Sequence, residues 1–246
     1  MSNGQKTGST PLPAVPNSED PKYGGRASNG LIWIEQLGDE LGALVRDYAR
    51  GGAIVSSKLT PPAKEQSDMI EHVQVFLDQK NQIDAASSIA MICYGINDGV
   101  SASRRGATSL SSSAQELISQ TELLIQAGIQ NVVVLSPPKA SGLFPEFNNI
   151  IWNGLKSLKA QTPSIQFAYV DFSALYSAIN ADPQSFGQDF LYARYESAES
   201  CLKSATSLDG ACQNPDVYLY YIPNHPQKLT HGLMAQWADV VLSNCT

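Results

Sequence analysis

Charge is scarce in this chain, and positive charge is scarcest. The count is 16 Lys and Arg against 23 Asp and Glu, a formal net charge of −7, and the cations form no block. A phosphate-binding surface needs concentrated basic residues, so nucleic acid is not an expected partner. No apolar run reaches the length of a membrane span. Only 3 His and 4 Cys are present, and they fall in no metal-ligand spacing. No glycine-rich phosphate cradle occurs either, so neither metal nor cofactor is expected. The opening "MSNGQKTGSTPLP" is polar and carries no signal peptide. Internal repeats are absent too.

What the chain has in quantity is apolar surface. Its 246 residues are 43% hydrophobic, enough for one large α/β domain with a proper core. A single domain over 1–246 is expected, with no second unit. Cys201 and Cys212 close a short loop rich in Ser, Ala and Gly, which favours a disulfide over a metal site. Cys93 lies in an apolar strand-like run and reads as a buried free thiol. Cys245 lies one residue from the end, inside Asn244-Cys245-Thr246, which fits the glycosylation sequon. The cysteine pair points to an oxidising compartment and the polar start does not, so the compartment stays open.

Residues 1–30 are rich in Pro, Gly, Ser and Asn and read as a surface segment. Leu31, Ile34, Leu37, Leu41 and Leu44 recur at helical spacing, and "RGGAIV" then turns on Gly51 and Gly52. A second helix is predicted over 67–80, with Met69, Val73, Phe76 and Leu77 on one face and His72 in solvent. "SSIAMICYGIND" is a continuous apolar run, the mark of a strand buried on both faces. Ser113 and Glu116 make a capping box that opens a helix to about Ala127, stopped by Gly128. "NVVVLSPP" and "IQFAYVDF" are further strands, with a helix over about 147–160 between them. A last helix over 229–243 is predicted to bury Leu233, Trp237, Val240 and Val241, with His231 a structural histidine at its start. Strands alternating with helices predict a mostly parallel sheet between helices, a three-layer α/β/α sandwich of flavodoxin-like type. In such sheets ligands bind outside the carboxyl ends of the strands, which singles out Asn97 and Asp98 in the "GIND" loop.

Four blocks in order carry a resemblance over nearly the whole chain: "KYGGRASNGLIWIEQLG" (22–38), "YARGGAIV" (48–55), "YGINDG" (94–99) and "PDVYLYYIPNHPQKLTH" (215–231). Together they resemble the SGNH hydrolases, also called GDSL esterases and lipases, and most closely the plant and fungal branch. The resemblance implies acyl transfer to water, with esters of lipids, acetylated sugars or small alcohols as substrates. It implies that His225 is the general base, and that Asn97 and Gly52 or Gly51 donate to the oxyanion. It also places Cys201 and Cys212 where secreted relatives keep a cysteine pair. Arg26 and Asn29 of "GGRASNG" could line the pocket, but in such a family they more often pin the opening loop.

The carry-over breaks at two points. The residue three before the base, an Asp in the family, is Ile222, which cannot accept from an imidazole N–H. The family's opening Gly-Asp-Ser-Leu-Ser-Asp-Thr-Gly aligns through Thr7 and Gly8, which puts Lys6 on the second Asp, Asn3 on the nucleophile and Met1 on the leading Gly. An amide is no nucleophile for acyl transfer, and Ser2 is one position off. The family's first strand would precede position 1 and is not found here. Because truncation cannot alter Ile222, divergence is the favoured explanation.

Loss of a triad leaves about 10³–10⁴-fold rate over water. The expected chemistry is therefore a converted, non-hydrolytic one on a small, largely apolar metabolite: cyclisation, a pericyclic step or isomerisation in a biosynthetic pathway. Asn97 and His225 are the candidate catalytic residues. Gly51, Gly52, Asn3, Lys6, Tyr94, Asp98, Tyr221 and Ile222 are the candidate lining, with Tyr220 a further aromatic wall. The alternatives are a non-catalytic pseudoenzyme that binds a small ligand or a protein, and an ester hydrolase whose first block is truncated.

Overall fold

The computed structural model describes Gly8 and residues 27–59, 66–80, 82–187, 200–205 and 207–244. Asn3, Lys6, Ser2, Arg26 and Cys245, singled out above, lie outside the described residues. The chain enters helix α1 (Trp33–Leu41) through a one-sided cap, in which Ile32 N–H donates to Glu35 Oε2 at 2.9 Å. Gly42 ends it in the left-handed region at φ 60°. The predicted helix therefore stops before Leu44, which is 71% exposed, because the glycine reverses the chain before the apolar stripe runs out.

Helix α2 (Met69–Gln79) is capped by Asp68, whose side chain accepts from Glu71 N–H. Strand β1 (Ile89–Ile92) leads into α3 (Ile96–Arg104) and α4 (Ser111–Gln126). The predicted capping box at Ser113 is not the start of α4, which begins two residues earlier. Ser113 is instead buried inside the helix and hydrogen-bonds the Asp98 carboxylate. Strand β2 (Asn131–Leu135) is followed by α5 (Phe144–Gln161). That helix starts three residues ahead of the predicted position because Pro145 fits its first turn, where no N–H bond is lost. Strand β3 (Gln166–Val170) then gives way to α6 (Phe172–Ala181), a helix not predicted from the sequence.

The three strands are parallel and lie in chain order, with Met91 opposite Val133 and Val133 opposite Ala168. Period-two alternation sends their side chains to two faces. Met91, Val133, Leu135, Ala168 and Val170 join Trp33, Leu37, Phe172 and Tyr176 in one cluster. Ile92, Val132 and Val134 join Met69, Val73, Leu117 and Phe147 in the other. Strand β1 is less enclosed than its unbroken apolar run predicts, since Ile89 is 46% exposed.

After a short 3-10 turn (Pro183–Phe186), a two-stranded antiparallel hairpin forms from β4 (Tyr220–Ile222) and β5 (His225–Pro226). Its turn is Pro223-Asn224, with Asn224 at φ 61°, the arrangement of a type II turn. Helix α7 (Lys228–Ser243) closes the described chain. It buries Leu233, Met234, Ala235 and Ala238, as well as His231. Val240, expected inside, is 57% exposed, because Met234 and Ala238 take the inward face. Among the described residues no helix is long and apolar enough to cross a membrane.

Candidate functional site

The carboxyl end of β1 is where polar residues collect, and the sequence shows why. Gly95 follows the strand at φ 112°, a conformation L side chains rarely adopt, and a Cβ there would lie 2.6 Å from the Phe147 ring. With the chain turned sharply at Gly95, α3 starts at once and delivers Asn97 and Asp98 in its first turn.

Both residues reach the loop that follows Gly52. The Asn97 Nδ2 donates to the Ala53 carbonyl at 2.8 Å. A carbonyl only accepts, so the amide nitrogen faces Ala53, and the planar geometry of the amide directs its second N–H elsewhere. Asp98 is fully buried, and both of its carboxylate oxygens accept from Val55 N–H at 3.1 Å. Burial pushes the Asp98 carboxyl up to about 6, against the pull of the Val55 N–H, Ser113 and Arg105. Gly52 has φ +86°, and its carbonyl accepts from Gln66 Nε2 at 2.7 Å. Ile54 N–H donates to the Ser67 carbonyl, and Met69 N–H to that of Ile54. The Gly51–Gly52 turn thereby lies against the entry to α2.

At that entry stands a chain of side chains that the sequence reading passed over. His72, expected in solvent, is 3% exposed. It lies three residues from Met69 and four from Phe76, on the apolar face of α2. Its Nε2 is 2.6 Å from Ser67 Oγ and its Nδ1 is 2.5 Å from Tyr94 Oη. Burial raises the Tyr94 phenol, so it stays neutral at physiological pH. Asp68 is close enough to interact with the His72 charge. Burial works against ionisation of Asp68 but is outweighed by hydrogen bonds from the Ser57 hydroxyl, Ser57 N–H and Glu71 N–H, so its carboxyl is held below the usual range. The helical spacing of His72 with Met69 and Phe76 was the available signal that it faces inward.

The candidates from the last block occupy the hairpin. Ile222 pairs with His225 across it. His225 Nδ1 lies 2.8 Å from the Pro223 carbonyl. Since the carbonyl accepts, Nδ1 carries a hydrogen, and in the neutral ring Nε2 then keeps the lone pair. Tyr221 and Ile222 are buried in a small cluster with Cys201, Leu202 and Cys212. The sulphurs of Cys201 and Cys212 are at disulfide distance, 1.95 Å. Cys201 N–H and Leu202 N–H donate to Tyr220 and Tyr221 carbonyls, stitching this loop to the hairpin. Tyr220 enters the same core cluster as Met91 and Cys93. Cys93 is a free thiol that burial pushes up to about 12, unreactive at neutral pH. Asn29 accepts from Lys228 N–H at 2.7 Å, pinning the opening segment to the start of α7.

The structure thus brings Gly51, Gly52, Tyr94, Asn97 and Asp98 to one loop. It carries Tyr221, Ile222 and His225 on a separate hairpin, held by separate hydrogen bonds. No group of His, Cys, Asp and Glu among the described residues is placed to hold a metal ion. Compared with protein-family models and with curated proteins, the sequence matches none.

Proposed function

We propose that this protein is an enzyme of non-hydrolytic type on an SGNH-hydrolase-like, three-layer α/β/α scaffold, acting on a small, largely apolar metabolite that carries a carbonyl or an enolisable group. Asn97 and the Gly51–Gly52 turn are the hydrogen-bond donors, and His225 is the proton-transfer or hydrogen-bonding group. The observation that carries this reading is the 2.8 Å contact of His225 Nδ1 with the Pro223 carbonyl. It supplies an orienting acceptor where Ile222 cannot. A carbonyl fixes the neutral Nδ1–H tautomer but supports an imidazolium far less than a carboxylate would. Such a histidine suits reactions in which a polar group positions and polarises a substrate.

The test is consumption of a panel of apolar carbonyl metabolites, followed by chromatography with mass detection. Ala at His225 or at Asn97 lowers turnover by about 10²-fold or more, whereas Ser2→Ala leaves it unchanged. Normal turnover in both the His225 and Asn97 variants would sink the reading.

A further inference from the structure

We propose that Ser67 is an acyl-accepting nucleophile, with His72 as its base and Tyr94 as the residue that positions His72, in a site that takes short, neutral acyl esters. Three observations carry this. The first is the unbroken contact chain from Ser67 Oγ through both nitrogens of His72 to Tyr94 Oη, at 2.6 and 2.5 Å. A nucleophile within hydrogen-bond reach of a base, itself held by a third group, is the general geometry of an activated hydroxyl.

The second is that the cap of α2 leaves the Ser67 hydroxyl to His72. Asp68 already caps α2, so the Ser67 hydroxyl is not needed there. His72 occupies an inward position between Met69 and Val73, where an aliphatic side chain would bury without polar cost. The third is location. Ser67 is half-buried rather than enclosed, and its neighbour Gln66 holds the Gly52 carbonyl. That contact sets the Gly51–Gly52 turn beside Gln66, and its N–H groups are the oxyanion donors of the proposal.

The reaction balances without a co-reactant other than water. When Tyr94 Oη accepts from His72 Nδ1–H, Nε2 presents its lone pair to the Ser67 hydroxyl. Ser67 Oγ bonds to the acyl carbon as its proton passes to Nε2. Collapse breaks the bond to the alcohol, which leaves with that proton. Water then attacks the acyl-serine, its proton again going to Nε2. The carboxylic acid departs as Ser67 Oγ takes that proton back. The ionisable groups packed around the pair are Asp68 at the helix cap, and Asp47, Cys93 and Asp98 around Tyr94.

This proposal uses neither His225 nor the first block, so its failure and that of the preceding reading are distinguishable. The experiment labels the full chain with a fluorophosphonate and maps the adduct by peptide mass spectrometry, with p-nitrophenyl acetate release in parallel. The adduct is expected on the Ser67 peptide. It is abolished by Ser67→Ala, slowed about 10²-fold by His72→Gln, and kept by Ser112→Ala, an exposed serine. Tyr94→Phe removes one oxygen, slows labelling, and moves the inflection of its pH profile, a change that a packing role alone would not produce. Thermal melts of the Ser67 and Tyr94 variants confirm folding. No adduct on the wild-type protein, an adduct on a different serine, or unchanged rates in the His72 and Tyr94 variants would overturn the proposal.

Discussion

Single residues decide most of what is chemically distinctive here. Asp98 is the clearest case, because its burial and its role in holding Val55 conflict. Its folded pKa, about 6, lies above the ordinary 3.8. The stabilisation linked to it is therefore complete below pH 3.8 and is lost as pH rises through about 6. That amounts to about 3 kcal/mol across the window. Asp68 runs the other way: its carboxyl is held low, so its contribution is present above pH 3.8 and lost in acid. Asp98→Asn should flatten the stability profile between pH 4 and 7 while leaving the acid limb intact, as read by urea midpoints at stepped pH. Gly95 is a second such residue. Gly95→Ala should cost about 2–4 kcal/mol through overpacking on Phe147 and a left-handed backbone. Gly106→Ala, also at positive φ but with open space around its Cβ, should cost about 1–2 kcal/mol.

At the scale of elements, the hairpin and the loop after Gly52 are the parts that hold the candidate groups. The hairpin is short, and its Ile222 and Tyr221 pack against the Cys201–Cys212 pair. Closing a loop of that size contributes about 2–4 kcal/mol. The Cys201→Ser/Cys212→Ser double variant should lose that much in denaturant unfolding, and reducing agent should produce the same loss in the wild type and none in the variant. Periodicity made β2, β3, α2 and α7 legible, because an apolar run or stripe of sufficient length has one good way to be buried. It left α6 unread: Phe172, Leu175, Tyr176 and Ile179 do recur at helical spacing, but they follow directly on a strand, and only the Asp171 cap marks the change. The boundary error at α4 has a similar source. Ser113 and Glu116 match a cap by type, yet Ser113 is taken up by Asp98, a tertiary demand that local pattern does not record.

For the whole molecule, three parallel strands with helices between them bring to one edge residues that lie 43 and 44 positions apart in the chain. Asn97 and Gly52 were legible as a pair through resemblance. The Ser67–His72–Tyr94 chain was not, since Tyr94 comes from a different stretch than Ser67 and His72 and the three match no motif. His225 was legible as a residue of interest, but not its partner: a backbone carbonyl leaves no trace in sequence. That partner is a backbone carbonyl, which fixes a hydrogen on Nδ1 of His225. Long-range proton–nitrogen correlation NMR of the labelled imidazoles reads it directly. The expected result at neutral pH is a pyrrole-like Nδ1 and a pyridine-like Nε2 for His225, a pattern lost in His225→Ala. An Nε2–H tautomer, or imidazolium shifts at both nitrogens, would contradict the account.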